Sequence, residues 1–122
     1  MTKEEFERLL DSMATGWAQR EFEKVASYFS ENLFYSDSLN YTYFDRASLL
    51  QFFNSEDQEE RCSFHDSIFD EARQVGVAEY TYEGTNRYHG TVWIELDDDK
   101  IVSWREYQHK VAKSWEEFWD RR

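Results

Sequence analysis

Between Gly76 and Lys110, apolar and aromatic side chains recur at every second position. Such alternation marks strands that lay one face on a core. Ala78, Tyr80 and Tyr82 share a face, followed by Val92, Ile94 and Leu96, then Val102 and Trp104. Glu83-Gly84-Thr85-Asn86 separates the first strand from the second, and Asp97-Asp98-Asp99-Lys100 the second from the third. The third strand breaks its own pattern, because Glu106 and Gln108 continue the Val102–Trp104 face. Two polar groups are thereby carried onto an otherwise apolar surface.

Upstream, the period changes. Phe6, Leu9, Leu10, Met13, Ala14 and Trp17 follow helical spacing behind a capping box of Thr2 and Glu5, which predicts a helix over 3–19. Phe22, Val25, Ala26 and Phe29 extend the stripe into a shorter helix over 21–30, closed by Ser30-Glu31-Asn32. Leu33 to Ser36 reads as a strand ending at Asp37, and residues 36–44 as a hydroxyl-rich loop. Asp45 caps a third helix running to about Asn54, with Leu49, Leu50, Phe52 and Phe53 inward. Ser55–Glu60 is a charged loop, and Arg61–Phe69 alternates as a strand (Cys62, Phe64, Asp66, Ile68). Asp70–Gln74 turns that strand into the ladder. A second capping box, Ser114 with Glu117, opens a short C-terminal helix with Trp115, Phe118 and Trp119 on one side. Helices followed by antiparallel strands define an α+β fold, with one curved sheet and its helices on one face.

Composition narrows the function classes. The 122 residues read as one domain, with no repeat or linker. A net charge of −12 repels phosphate backbones and anionic lipid surfaces, so neither nucleic acid nor membrane is expected as a partner. Aromatics form 19% of the chain, so the core is built from a few large side chains. The single cysteine, Cys62, excludes an internal disulfide and reads as a buried strand residue. The N-terminal MTKEEFERLL opens an amphipathic helix rather than a signal peptide. These features suit a soluble protein of a reducing, cytoplasmic compartment.

Three segments resemble the SnoaL-like branch of the nuclear transport factor 2 and ketosteroid isomerase superfamily. The first is the two-helix entry ending in Val25-Ala26-Ser27-Tyr28-Phe29-Ser30-Glu31-Asn32-Leu33. The second is Tyr35-Ser36-Asp37, similar to a strand that ends in an acidic residue, with Ser38 where a proline is frequent. The third is Thr91–Leu96, Asp97–Lys100 and Ile101–Tyr107, similar to a strand, an acidic turn with Lys and an I-V-x-W-R-x-Y strand. A frequent Gly-Asp between the first helices is Arg20-Glu21 here. The resemblance implies a cone: a strongly curved, mostly antiparallel sheet packed on three N-terminal helices, cystatin-like in shape, around a cavity. It also implies a homodimer through the outer sheet face. Asp37 falls where ketosteroid isomerases hold their general-base aspartate. The oxyanion-hole tyrosine of that family falls near Met13 and its protonated aspartate near Val92, so both donors are missing.

Asp37 and Glu106 are the candidate catalytic residues. A carboxyl walled by Trp17, Tyr80 and Trp104 is desolvated, and a second carboxyl nearby raises its pKa further. Such a group exchanges protons near neutral pH. The plainer alternatives are that Asp37 caps the following loop and that Glu106 pairs with a base such as Arg87. Gln108 either orients a ligand carbonyl or satisfies the sheet end. Tyr80, Tyr82 and Tyr88 are pocket donors or packing, and Tyr35, Tyr41 and Tyr43 sit at the mouth. The expected pocket comprises Met13, Trp17, Tyr35, Tyr80, Tyr82, Tyr88, Val92, Trp104 and Gln108. His65, His89 and His109 fit no metal motif and point outward as surface or interface residues. The Asp97–Asp99 run is a solvated turn, and no motif calls for a metal or cofactor.

Three readings remain open. One is acid/base chemistry, of isomerase, cyclase or hydrolase type, on a small apolar carbonyl-bearing molecule. Another is a non-catalytic module binding an apolar or aromatic molecule. The last is an interaction protein using Trp93 and Tyr107 on the outer face.

Overall fold

The side chain of Thr2 accepts from the Glu5 amide, and the Glu5 carboxylate accepts from the Thr2 amide. This reciprocal cap starts helix α1 (Lys3–Ala18), whose apolar stripe buries Phe6, Leu10, Met13 and Trp17. The computed structural model describes residues 1–55 and 61–119. The elements that follow are α2 (Phe22–Ala26), β1 (Phe29–Asp37), β2 (Tyr41–Asp45), α3 (Arg46–Ser55), β3 (Arg61–Asp70), β4 (Val75–Glu83), β5 (Arg87–Asp97), β6 (Lys100–Lys110) and α4 (Trp115–Phe118). The strands form one sheet in the order β2-β1-β6-β5-β4-β3. Every pairing is antiparallel except that of β1 with β6. The α+β class is as expected: a six-stranded, mostly antiparallel sheet with the N-terminal helices packed against it and a short helix at the end.

Several boundaries differ from the sequence reading. The helix expected over 21–30 stops at Ala26. Phe29 keeps its place in the core, but as the first residue of a strand. The amide of Ile101 donates to the Tyr28 carbonyl, and Lys100 Nζ donates to the Ser27 carbonyl. Pairing with β6 and a lysine at the helix end thus take over from helical hydrogen bonding. The strand expected over Leu33–Ser36 accordingly begins at Phe29. The expected loop over 36–44 is a hairpin, because Tyr41-Thr42-Tyr43-Phe44 fits a pleated surface and pairs back onto β1. The expected cap of α3 is present, with Asp45 Oδ1 accepting from the Ser48 amide at 2.8 Å. The charged loop expected after Ser55 lies outside the described residues.

Two bulges explain the remaining errors of facing. In β3 the register shifts between Phe64 and Ser67. The shift reverses the alternation, so Ile68 is 76% exposed while Phe69 turns in to stack on Phe6 at 4.6 Å. Asp66 is likewise exposed. Between β5 and β6, Leu96 pairs with Ile101 and Glu95 with Ser103, leaving Val102 as the extra residue. Ile101, not Val102, therefore fills the core. The Asp97–Asp99 run is the exposed turn expected, with positive φ at Asp98 and Asp99 suited to a tight hairpin.

The histidines face away from the core, but His89 is not on the surface. Thr81 Oγ1 lies 2.7 Å from His65 Nε2 and 3.0 Å from His89 Nδ1. Trp115 of α4 stacks on His65 with ring centroids 3.9 Å apart, and Phe118 lies against His89. The apolar side of α4 thus finds its partner on the sheet's own outer face. Burial and the neighbouring His89 lower the pKa of His65. Trp93 also lies on this face, between the guanidinium groups of Arg73 and Arg105. Among the described residues no helix is long and apolar enough to cross a membrane.

Helix α1 reaches the sheet at Gly76, where a Cβ atom would overlap the Phe6 ring. Phe6 is fully buried between this backbone and Phe69, so it has no free space to retreat into. Gly76→Ala is expected to destabilise the fold by about 1–3 kcal/mol, as overpacking of a filled core does. Chemical denaturation of both proteins measures the difference, and an unchanged midpoint would show that Phe6 can move.

Candidate functional site

Alternation along β6 sends Trp104, Glu106 and Gln108 to the same face as α1 and α3. The parallel partner β1 sets Tyr35 beside Trp104 and Asp37 beside Glu106. On the other side, β5 sets Val92 beside Glu106 and Gly90 beside Gln108. The hairpin of β1 with β2 then brings Tyr41 opposite Asp37. Three neighbouring strands, β2, β1 and β6, thus deliver two carboxylates, one amide and two phenols to one patch.

Glu106 is the centre of that patch. Its Oε1 accepts from Tyr35 Oη and from Trp104 Nε1, each at 2.8 Å. Its Oε2 accepts from Tyr41 Oη at 2.6 Å. The residue as a whole is 7% exposed. Burial raises its pKa above the ordinary carboxylate value. The three donors pull the other way without cancelling that rise, and the charge of Asp37 adds to it. Burial, with the charge of Glu106 as the next cause, also raises Tyr35, Tyr41 and Tyr80 well above the ordinary phenol value. These phenols stay protonated and act as donors.

Asp37 has a different setting. Its Oδ1 accepts from the Leu39 amide at 2.8 Å, the Asn40 amide at 3.2 Å and the Asn40 side chain at 3.3 Å. This is an Asx turn that closes the β1–β2 hairpin. Its Oδ2 accepts from Gln108 Nε2 at 2.9 Å, and Gln108 Oε1 accepts from Tyr80 Oη at 2.7 Å. Gly90 makes this relay possible, since a Cβ there would sit 2.9 Å from the Tyr80 hydroxyl and 2.6 Å from the Tyr107 carbonyl. Of the alternatives for Asp37, the capping role is the one its contacts display. The alternative pairing of Glu106 with Arg87 does not form. Arg87 reaches Glu83 and the Ala112 carbonyl instead.

A cavity of about 440 Å³ opens above Glu106. Of the expected pocket residues, Trp17, Tyr35, Tyr80, Tyr82, Tyr88, Trp104 and Gln108 line it, together with Glu106 and Tyr41. Met13 and Val92 do not, because they are fully buried core residues. Tyr43, expected at the mouth, is not in the lining either, and the candidate catalytic residue Asp37 lies behind Gln108 at the hairpin. Alternation and helical spacing place a side chain on the inner side but do not say whether rings cover it. Tyr35 is buried at the base of the cavity rather than at its mouth. The sequence reading missed Phe52 and Phe53 of α3, Cys62 and Phe64 of β3, and Asn40, Thr85 and Asn86 of the turns. The adjacent pair Phe52-Phe53 was the available signal, since one of two neighbours on a helix can pack while the other turns toward a gap. Among the described residues no cluster of three or more His, Cys, Asp or Glu is arranged to hold a metal ion.

No protein-family model matches the sequence, and no curated protein matches it. Solved structures do match. An NTF-2 like protein of unknown function from Burkholderia xenovorans LB400 superposes with a TM-score of 0.79 at 11% identity, over 98% of this chain and 96% of that one. The epoxide hydrolase/cyclase-like enzyme SalBIII, of pyran ring formation in the polyether salinomycin, gives 0.75 at 14% identity, over 89% and 95%. An LEH-like epoxide hydrolase of M. tuberculosis gives 0.71 at 15% identity, over 84% and 80%. Likenesses at this identity establish the fold. This chain has the nuclear transport factor 2-like fold, in agreement with the resemblance seen in its sequence.

The raised pKa of Glu106 has a consequence for stability. Between the ordinary value of 4.5 and the raised one, the folded protein binds more protons than the unfolded chain. Unfolding free energy therefore falls as pH rises through that window and levels off above it. Glu106→Gln removes this dependence. The melting temperature of the native protein relative to E106Q is expected to drop as pH climbs from 4.5. A difference that stays constant with pH would show that Glu106 titrates normally.

Proposed function

We propose that this protein binds a small, largely apolar or aromatic molecule in the cavity above Glu106. The observation that carries the reading is a cavity of about 440 Å³ whose walls are mostly rings and whose base holds one carboxylate. That volume lies within the usual range for small-molecule sites, which pair an apolar lining with a few placed polar groups. Aromatic walls contribute through area removed from water, and the carboxylate orients the ligand's polar end.

A second reading, acid/base catalysis by Glu106, is favoured by one feature. Its pKa is raised by a dry setting, as suits a group that exchanges protons near neutral pH. Epoxide-transforming proteins with this fold make such chemistry a reasonable class to screen. Asp37 would serve there through Gln108, as a positioning residue.

Calorimetric titration with a panel of neutral aromatic fragments tests the binding reading. At least one fragment is expected to give a saturable heat. Cys62→Phe, which fills the cavity from β3, is expected to weaken that fragment at least about tenfold. Silence across the panel, or full affinity in C62F, would refute the site. For the second reading, any turnover found in an epoxide and enolisable-ketone screen should fall about a hundredfold or more in E106Q.

A further inference from the structure

We infer that the ligand is a small organic ammonium ion, its charge set against Glu106 and its carbon frame against the surrounding rings. The inference rests on the pocket reading above and names the class of molecule that pocket takes.

Charge balance is the first argument. Among the described residues that line the cavity there is no Lys, Arg or His. The three partners of Glu106 are neutral donors. A carboxylate taken out of water recovers only part of its lost hydration from such dipoles. A ligand cation beside Glu106 supplies that missing counter-charge.

The pattern of donors is the second argument. At the Glu106 end, Tyr35, Tyr41 and Trp104 already donate to the carboxylate, and Tyr80 donates to Gln108. These phenols and the indole would have to turn away from Glu106 or Gln108 to serve a ligand carbonyl or carboxylate. An anionic ligand would also face Glu106 with Asp37 close behind. By contrast, among the described residues Glu106 Oε2 accepts only from Tyr41, which leaves that oxygen able to face an ammonium ion.

The rings supply the third argument. Tyr35 and Trp104 lie parallel, with centroids 5.7 Å apart, and Trp17 meets Trp104 edge-on at 6.0 Å. With Tyr41 and Tyr80 they place several π systems around the carboxylate. Ring faces attract cations, Trp and Tyr most strongly, and the attraction grows when water is excluded. The net charge of −12 further raises the local concentration of cations.

The test compares two probes of one shape on the purified chain. Benzyltrimethylammonium and neopentylbenzene differ only by a charged nitrogen in place of a carbon. Quenching of tryptophan fluorescence, with Trp17 and Trp104 in the wall, reports both. The cation is expected to bind about tenfold or more tightly than the hydrocarbon. E106Q is expected to erase that preference by weakening the cation, with the hydrocarbon still bound. Equal affinities, or a preference that survives in folded E106Q, would overturn the inference and leave the pocket standing. Binding of neither probe would remove the pocket reading and this inference with it. Should E106Q fail to fold, the wild-type comparison of the two probes still decides.

Discussion

Glu106 lies under the cavity with three neutral donors and, among the described residues, no basic side chain lining that cavity. Desolvating a carboxylate is among the more costly steps a fold can take, and dipoles offset it only when their geometry is good. Here the donors come from β1, β2 and β6, so the charge ties three strands to one point. Any rearrangement of the β1–β2 hairpin would strip Tyr35 and Tyr41 from the carboxylate together. The polar centre therefore constrains the fold as much as the fold positions the centre.

The one parallel pairing explains why this point exists. β1 runs alongside β6, so residues two apart on each strand stay matched: Tyr35 with Trp104, Asp37 with Glu106. Had β1 paired elsewhere, Asp37 would close its hairpin far from Glu106. The bulges in β1, β3 and at the β5–β6 turn bend the sheet and let its inner face follow α1 and α3. Trp17 from α1 and Phe53 from α3 then meet Trp104 and Tyr35 across the core. The space beside them, between α3 and the ends of β3 and β4, is the cavity.

Period and turn chemistry made much of this legible in the sequence. Capping boxes marked the starts of α1 and α4. Alternation found β3 to β6 within a residue or two and brought Glu106, Gln108, Tyr80 and Trp104 to one face. What periodicity missed lies where tertiary pairing decides. Phe29 fits a helical stripe and a strand end equally well, and only the hydrogen bond from Ile101 chooses between them. A bulge is invisible to a two-residue period, so Ile68 and Val102 were turned the wrong way. His89 has an outward phase, and its burial depends on a helix more than twenty residues away. Inward phase also did not separate cavity walls from solid core, hence the errors at Met13 and Val92.

Those two positions carry a further meaning. The resemblance in sequence sets them where ketosteroid isomerases keep the donors that stabilise an oxyanion, and here both hold apolar groups packed without exposure. The donors of this pocket stand elsewhere. They sit on Tyr35, Tyr41 and Trp104, and they point at a protein carboxylate instead of at a ligand oxygen. A site that spends its phenols on its own charge presents an acceptor to whatever enters. On the binding reading proposed above, the scaffold with its polarity reversed at this end would select for molecules that bring positive charge or hydrogen-bond donors rather than for those that develop negative charge.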